Sequence, residues 1–372
     1  KESIVTTADG TFIQVSGSFP NTSRYVVVDT VNFLTPDYLD NNGDFKPSLT
    51  SSLPGVSSGS FGGALGAQFK SDAAAKFYEN ISSTNIQGVT PADYTTMFNL
   101  LGNKDEYQFN VVSAPGINKV DHSTQFNSLV NLAQTRTDTI AVADLVGYDS
   151  TIGTVTTQAG NVNSSYAAAY WPWLLVNDPN TGEYIYTPAS TLIPGVYAFN
   201  DSVAEPWFAP AGINRGGLDT VVRPEKKLTQ ANRDTLYQGK VNPIAVFPNT
   251  GTVVFGQKTL QKKASALDRV NVRRLLIALK SFIGQVASNL VFEQNTITTR
   301  NNFLAQVNPY LESVQQRQGI FAFKVVMDDT NNTPDVIDRN QLVGQIFLQP
   351  TRTAEFVVLD FNVLPTGVEF PS

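Results

Sequence analysis

The sequence predicts a mixed helix-and-strand protein: an α/β portion built on a βαβ unit, followed by an α+β portion in which two long helices pack on a small mixed or antiparallel sheet. Three observations predict it. First, a strand-like run at Tyr107–Ala114, a helical pattern at Ser123–Thr135 and an apolar run at Thr139–Val146 follow one another with short links, which implies a right-handed crossover and parallel pairing. Second, Ala264–Leu290 reads as one long amphipathic helix, because Val272, Leu275, Leu276, Leu279, Ile283, Val286 and Leu290 recur at i, i+3, i+4, i+7 spacing. Third, Asn295–Gly319 is a second helical stretch with Phe303, Val307, Tyr310, Leu311 and Val314 on one face, and strand-like runs follow it.

Taken in order, the chain opens with two strand-like segments, TFIQV (Thr11–Val15) and YVVVDTVNF (Tyr25–Phe33), separated by the turn-rich SGSFPNTS. It begins without Met, on KESIVTTADG, and reads as part of a longer polypeptide. Thr35–Gly66 is rich in Gly, Ser, Pro and Asn and reads as a long loop. Its SGSFGGALG lacks the Lys-Ser/Thr ending of a phosphate loop, so no nucleotide site is assigned there. Ser71–Glu79 and Pro91–Leu101 read as short helices, the second entered through Thr90 and Pro91. Asn163–Trp173 reads as a short helix broken at Pro172, and Asn180–Gly182 as the turn of a hairpin. Pro188–Ser202 reads as a helix and its exit.

In the long helix, Ser265 or Asp268 can cap the first turn. Arg269, Arg273 and Lys280 fall on one edge of the apolar face, a basic stripe available to a partner. Pro309 is expected to kink or divide the second helix after Asn308. Gly319 is expected to end it as a left-handed cap. IFAFKVVM (Ile320–Met327), LVGQIFLQP (Leu342–Pro350) and AEFVVLDFNV (Ala354–Val363) read as an antiparallel set, with TNNTPDVIDRN (Thr330–Asn340) as a turn.

Composition narrows the chemistry. There is no Cys and a single His, His122, which removes thiolate chemistry and most His-based catalysis and zinc sites. No apolar run reaches the roughly 20 residues of a membrane span. Net charge is −6, against general nucleic-acid binding, yet Arg215–Lys280 holds about 13 Lys and Arg against about 4 Asp and Glu. Asp121 and His122 after the first strand of the βαβ unit, with Asp144 and Asp149 near the second, occupy the strand ends where an α/β enzyme keeps its site. No nucleophile motif accompanies them, and they read as turn and cap residues. Asp328/Asp329 and Asp335/Asp338 lie in a turn rich in Asn and Thr, where structural hydrogen bonds explain them. Tyr166, Tyr170, Trp171 and Trp173 form an aromatic cluster suited to a core or subunit contact. No catalytic, cofactor-binding or metal-binding residues are assigned.

Several motifs occur together and in one order. WFAPAGINRGGL (Trp207–Leu218) resembles a signature of the contractile tail sheath proteins of myoviruses. LTQANRDTLYQGKVNPI (Leu228–Ile244), GTVVFGQKTL (Gly251–Leu260), DRVNVRRLL (Asp268–Leu276), FEQNTITTRNNF (Phe292–Phe303) and TNNTPDVIDRNQLVGQIFLQP (Thr330–Pro350) continue it in register. The resemblance implies residues 1–30 as strands left from a preceding, truncated β-rich domain. It implies 31–215 as an α/β sheath domain and 216–372 as an inner, tube-facing α+β domain. It further implies a structural subunit, not an enzyme, that polymerises helically around a tail tube and contracts to drive it through the host envelope for genome ejection. The implied partners are further copies of itself, the tube protein, the baseplate and the tail terminator, without direct nucleic-acid binding or membrane insertion. The implied place is the virion tail, assembled in the host cytoplasm. Lys262, Lys263, Arg269, Arg273 and Lys280 would face the tube. Without an N-terminal arm to exchange with neighbours, these residues alone are expected to stay largely monomeric. A virion-associated carbohydrate-binding or polysaccharide-degrading tail protein, using Trp171, Trp173 and Trp207 or the paired carboxylates, is the competing reading.

Overall fold

A computed structural model describes residues 3–6, 12–15, 91–178, 182, 184–248 and 250–355. The chain divides into two units, residues 1–77 with 84–88, and residues 78–83 with 89–372. In the first, strands β1 (Ser3–Thr6) and β2 (Phe12–Val15) pair antiparallel. The expected strand at Tyr25–Phe33, loop at Thr35–Gly66 and helix at Ser71–Glu79 lie outside the described residues, as does AEFVVLDFNV beyond Glu355.

The second unit starts with α1 (Pro91–Leu101), followed by β3 (Val111–Asn118), α2 (Ser123–Arg136) and β4 (Ile140–Asp144). β3 and β4 run parallel. β4 is buried along its whole length, as expected of a parallel strand covered on both faces. Its alternate residues serve different cores. Ala141 and Ala143 meet Phe126, Leu129 and Ala133 of α2, whereas Ile140 and Val142 face Leu174, Ile193 and Tyr197. β3 starts at Val111 rather than at Tyr107: the Tyr107 carbonyl is used outside the sheet, while Asn110 O makes the first bond of the β3–β4 pairing. Tyr107 O accepts from Arg136 Nη2 at 2.7 Å, and Asn110 O accepts from Ile140 N at 3.0 Å. Arg136 is 1% exposed; it also donates to Leu101 O and pairs with Asp138, tying α1 to the end of α2.

After α3 (Ile152–Gly160), capped by the Thr151 hydroxyl, the expected helix at Asn163–Trp173 is absent. This stretch forms two short strands, β5 (Ala167–Ala168) and β6 (Tyr170–Trp171). β5 extends the β3–β4 sheet in parallel, and Ala167, Ala168 and Ala169 are fully buried. The helix-favouring Ala triplet is overridden by tertiary context, because Ala167 and Ala168 pair with Ala141 and Val142 of β4.

β7 (Leu174–Asn177) and β8 (Tyr184–Thr187) form a hairpin. α4 (Ile193–Val203) then leads to β9 (Val221–Pro224), which pairs antiparallel with β7. α5 (Gln230–Gln238) starts on the Thr229 hydroxyl, and β10 (Asn242–Phe247) and β11 (Gly251–Val254) follow as an antiparallel pair. β10 also runs parallel to β6. A cut at 215/216 would part β9 from β7 and β10 from β6. Strands within residues 216–254 therefore pair with strands before residue 215 in two separate sheets.

A 3₁₀ turn at Ala266–Asp268, capped by Ser265, leads into α6 (Val270–Ser288). Neither Ser265 nor Asp268 caps α6 itself, whose first residue follows Arg269 without a side-chain cap. α7 (Ile297–Gln316) starts on the Thr296 hydroxyl and runs through Pro309 without division. Phe303 and Val307 before the proline, and Leu311 and Val314 after it, join Leu275, Leu279 and Val286 of α6 in one core. Phe282 stacks on Tyr310 at 3.8 Å. Those contacts on both sides hold the helix continuous despite the lost N–H.

The end of α7 also differs from expectation. Gln318, not Gly319, takes the left-handed conformation (φ 65), with Gln318 N bonded to Gln315 O and Gly319 N to Val314 O. Gly319 is needed for space, because a Cβ there would lie 2.6 Å from Val314 Cγ1. β12 (Ile320–Val326), the short α8 (Pro334–Asp338) and β13 (Gln345–Pro350) complete the described residues, with β12 and β13 antiparallel. α8 lies where a plain turn was expected.

Candidate assembly interface

The basic stripe of α6 does not reach the surface as a stripe. The first half of α6 is buried all round, since Val270 and Ile277 belong to the core beneath β4 while Leu275 and Leu279 belong to the core shared with α7. Arg273 is 4% exposed. Its Nε donates to Ser165 O at 3.2 Å, its Nη2 to the Ser165 hydroxyl, and its guanidinium lies 3.9 Å from the Tyr166 ring centroid. Burial lowers its pKa, and the Tyr166 ring and hydroxyl offset part of that. The expectation that Arg273 is a free tube-facing cation is therefore corrected. It clamps α6 to the segment leading into β5.

Arg269 is also engaged. Its Nε meets Glu355 Oε1 at 2.6 Å, its Nη2 meets Oε2 at 2.9 Å, and its Nη1 lies 2.8 Å from Asp268 Oδ1. Glu355 further accepts from the Tyr237 hydroxyl and from Gln257 Nε2 at 3.1 Å. Burial pushes the Glu355 carboxyl up, but the bonds from Arg269 and Tyr237 prevail and hold it below its ordinary value. Beside this knot, Lys258 is brought down to about 8 by burial, then by Lys240 and Arg269. Of the five expected cations, Lys262, Lys263 and Lys280 stay exposed, with Lys280 Nζ 3.5 Å from the Tyr166 hydroxyl.

Arg274 is a buried cation that the helical wheel did not single out. It is 3% exposed, pairs with Asp201 at 2.5 Å and lies over the Tyr197 ring. Tyr197 in turn shares a 2.6 Å hydroxyl contact with Tyr170, and burial pushes its phenol up to about 12. The Arg273–Arg274 doublet was the available signal, because adjacent helical residues lie about 100° apart and cannot share one exposed edge.

Most of the alternative chemical groups are occupied structurally. His122 Nδ1 accepts from Asn118 N in the turn between β3 and α2. Asp144 accepts from the Ser190 hydroxyl at 2.5 Å and from Ser190 N, and Asp149 pairs with Lys226 at 3.0 Å. Asp328 accepts from Thr330, and Asp329 pairs with Arg300 at 2.7 Å. Asp335 and Asp338 lie on α8. Trp171 and Trp207 are buried, and Trp207 Nε1 donates to Arg317 O, so neither is available to stack on a sugar. Trp173 is half-buried against Tyr148. Among the described residues no group of His, Asp and Glu is arranged to hold a metal, and no helix is long and apolar enough to cross a membrane.

A cleft of about 830 Å³ opens between α5, the 208–215 loop and residues 353–355. Its walls include Phe208, Phe255, Arg215 and Arg233. Arg215 lies over Phe208, and Arg233 lies over both Phe247 and Phe255.

The phage tail sheath central-domain model matches residues 87–260, and the phage tail sheath C-terminal-domain model matches residues 262–363. The chain is 37% identical over 234 residues to the tail sheath protein of Vibrio phage KVP40 and 37% identical over 236 residues to that of Enterobacteria phage T4. Each match takes in 62% of this chain and 35% of the relative, so the chain spans about a third of the length of these relatives. Among solved structures, it resembles the sheath of an extracellular contractile injection system, the PVC complex in its contracted state. There the TM-score is 0.62 and the identity 27%, over 74% of this chain and 75% of that one. The anti-feeding prophage baseplate structure shares the fold, with TM-score 0.61 at 24% identity over 72% of each chain. Two adjoining domain models of one family, matched in order, and close relatives of the same description carry one conclusion: this chain belongs to the phage tail sheath family.

Proposed function

We propose that the protein is a structural subunit of a contractile phage tail sheath, polymerising helically around a tail tube and contracting to drive the tube through the host envelope for genome ejection. The observation that carries this reading is the ordered match of central and C-terminal sheath domains, at a level where the T4 and KVP40 tail sheath proteins are 37% identical. In this reading the βαβ-containing layer is the sheath's central body. The two long helices on the β12–β13 pair form the inner domain, with the division after the β10–β11 pair rather than at 215/216. The partners are further copies, the tube protein, the baseplate and the tail terminator. The work is mechanical and needs no active site. The residence is the virion tail after assembly in the host cytoplasm.

The tube-facing cations in this reading are Lys262, Lys263 and Lys280, supported by their exposure. Arg269 and Arg273 shape the surface that carries them. Electron microscopy of the full-length protein, with and without purified tube, tests the function. Sheathed tubes support it. A full-length protein that coats no tube and forms no polymer under any condition refutes it.

A further inference from the structure

The turn joining α6 to α7 is an apolar knob. Val291 and Ile297 are largely exposed, and Phe292 is 103% exposed. Phe292 also sits at φ 71, a left-handed conformation that a bulky side chain adopts only at a cost. Burial within the chain does not repay that cost, since the ring touches nothing that shields it. Glu293 follows, also exposed. Elsewhere in the same unit, the cleft beside α5 has the complementary character. Phe208 and Phe255 line it, Phe255 is 46% exposed, and Arg215 and Arg233 stand over these rings. Among the described residues neither arginine has a carboxylate ion-pair partner; Arg215 donates to Ala209 O and Arg233 to Leu228 O. The acidic groups at the cleft are Glu355, already held by Arg269, and exposed Asp234.

We propose that the α6–α7 knob of one copy seats in the α5 cleft of a second copy, Phe292 entering against Phe208 and Phe255 while Glu293 meets Arg233. The knob is not in its own cleft, so only another copy delivers it. The contact is head-to-tail, with different patches on the two sides, and such a contact propagates as an open helix unless its rotation closes a ring. A desolvated aromatic anchor flanked by a charge pair is the usual make-up of an interface hot spot. The inference rests on the self-assembly reading above.

The test uses the full-length protein. These 372 residues contain no cysteine, and with any cysteine elsewhere in the full-length protein replaced by serine, two variants, V291C on the knob and Q230C on the cleft rim, report one contact when mixed and treated with a short bismaleimide. A crosslinked dimer of one variant with the other, formed in polymer and absent from the monomer pool, is the expected result. F292S should reduce sedimentable polymer at least tenfold without a change in the monomer's melting temperature. E293R should weaken assembly, and E293R with R233E should restore it. A wild type that polymerises while the mixed pair yields no such dimer overturns the proposal and leaves the sheath reading standing, whatever F292S does. A wild type that never polymerises overturns both.

Discussion

Arg273 shows how a residue's meaning changes once its surroundings are known. On a helical wheel it belongs to a basic edge, but in the structure it bonds to Ser165 and lies over Tyr166 at 4% exposure. Removing the head group leaves the Ser165 carbonyl without its donor and loses the ring contact. Arg273→Ala is expected to cost about 2 kcal/mol in urea unfolding. Arg273→Glu should cost about 3 kcal/mol or more, since it buries an unpaired charge of the wrong sign. Gly319 has a different constraint. Its missing Cβ is the space Val314 Cγ1 occupies, so Gly319→Ala should destabilise by roughly 1–3 kcal/mol through overpacking. Asp144 makes stability depend on pH. Burial lifts its carboxyl from an ordinary 3.8 to about 7, although the Ser190 bonds pull the other way. Its folded-state pKa is the higher, so the folded state holds the extra proton between those values. The contribution is full below about pH 4 and is lost as pH rises through about 7. Asp144→Asn should remove that fall, which urea titrations at pH 4, 5.5 and 7.5 would reveal. A wild-type slope equal to the variant's across that window would refute the assignment.

Helices read from the spacing of apolar residues survive comparison with the structure better than elements defined by composition. α2 and α6 follow the predicted inward faces, with Phe126, Leu129, Val130 and Ala133 buried in one and Leu275, Leu279 and Val286 in the other. The period reports burial of a seam directly. It does not report that the first half of α6 is wedged between two cores, because a buried arginine and an exposed one look alike in sequence. That is why the basic stripe was visible as a pattern while its exposure was not. Residues 163–173 failed for a related reason: three consecutive alanines favour a helix locally, and the pairing partners that make them strands are 26 residues upstream for Ala167 and 72 downstream for Tyr170. Pro309 does not divide its helix. The contacts of Phe303, Val307, Leu311 and Val314 carry α7 through it. Because Pro309 is exposed and only its backbone penalty remains, Pro309→Ala should stabilise the protein by about 1–3 kcal/mol in thermal or urea melts. Unchanged or lower stability would mean that the proline ring or the local bend supports the α7 packing.

For the molecule as a whole, the charge distribution has to be reconciled with a net charge of −6. The basic island between Arg215 and Lys280 looked like a single surface, but much of it is consumed internally: Arg269 by Glu355, Arg273 by Ser165, Arg274 by Asp201, and Lys226 by Asp149. What is left exposed is dispersed: Arg223 and Lys227 lie around β9, and Lys262, Lys263 and Lys280 lie near the start and middle of the α6 region. Exposed ion pairs contribute about 0–1 kcal/mol each. On the proposed reading, one subunit would bind a tube weakly, while repetition along a helix would make the sum large and still releasable. Lys262→Glu with Lys263→Glu and Lys280→Glu should leave the melting temperature within about 2 °C, because surface substitutions away from packed features usually change stability by less than about 0.5 kcal/mol. The same triple variant should coat tubes poorly under conditions where wild type coats them fully. Wild-type coating should itself weaken as salt rises, since the screening length falls from about 8 Å at physiological ionic strength to about 3 Å at 1 M. Coated length per tube in negative-stain micrographs, measured across a salt series, separates the two contributions. If the triple variant coats tubes like wild type at every salt concentration, these lysines do not face the tube.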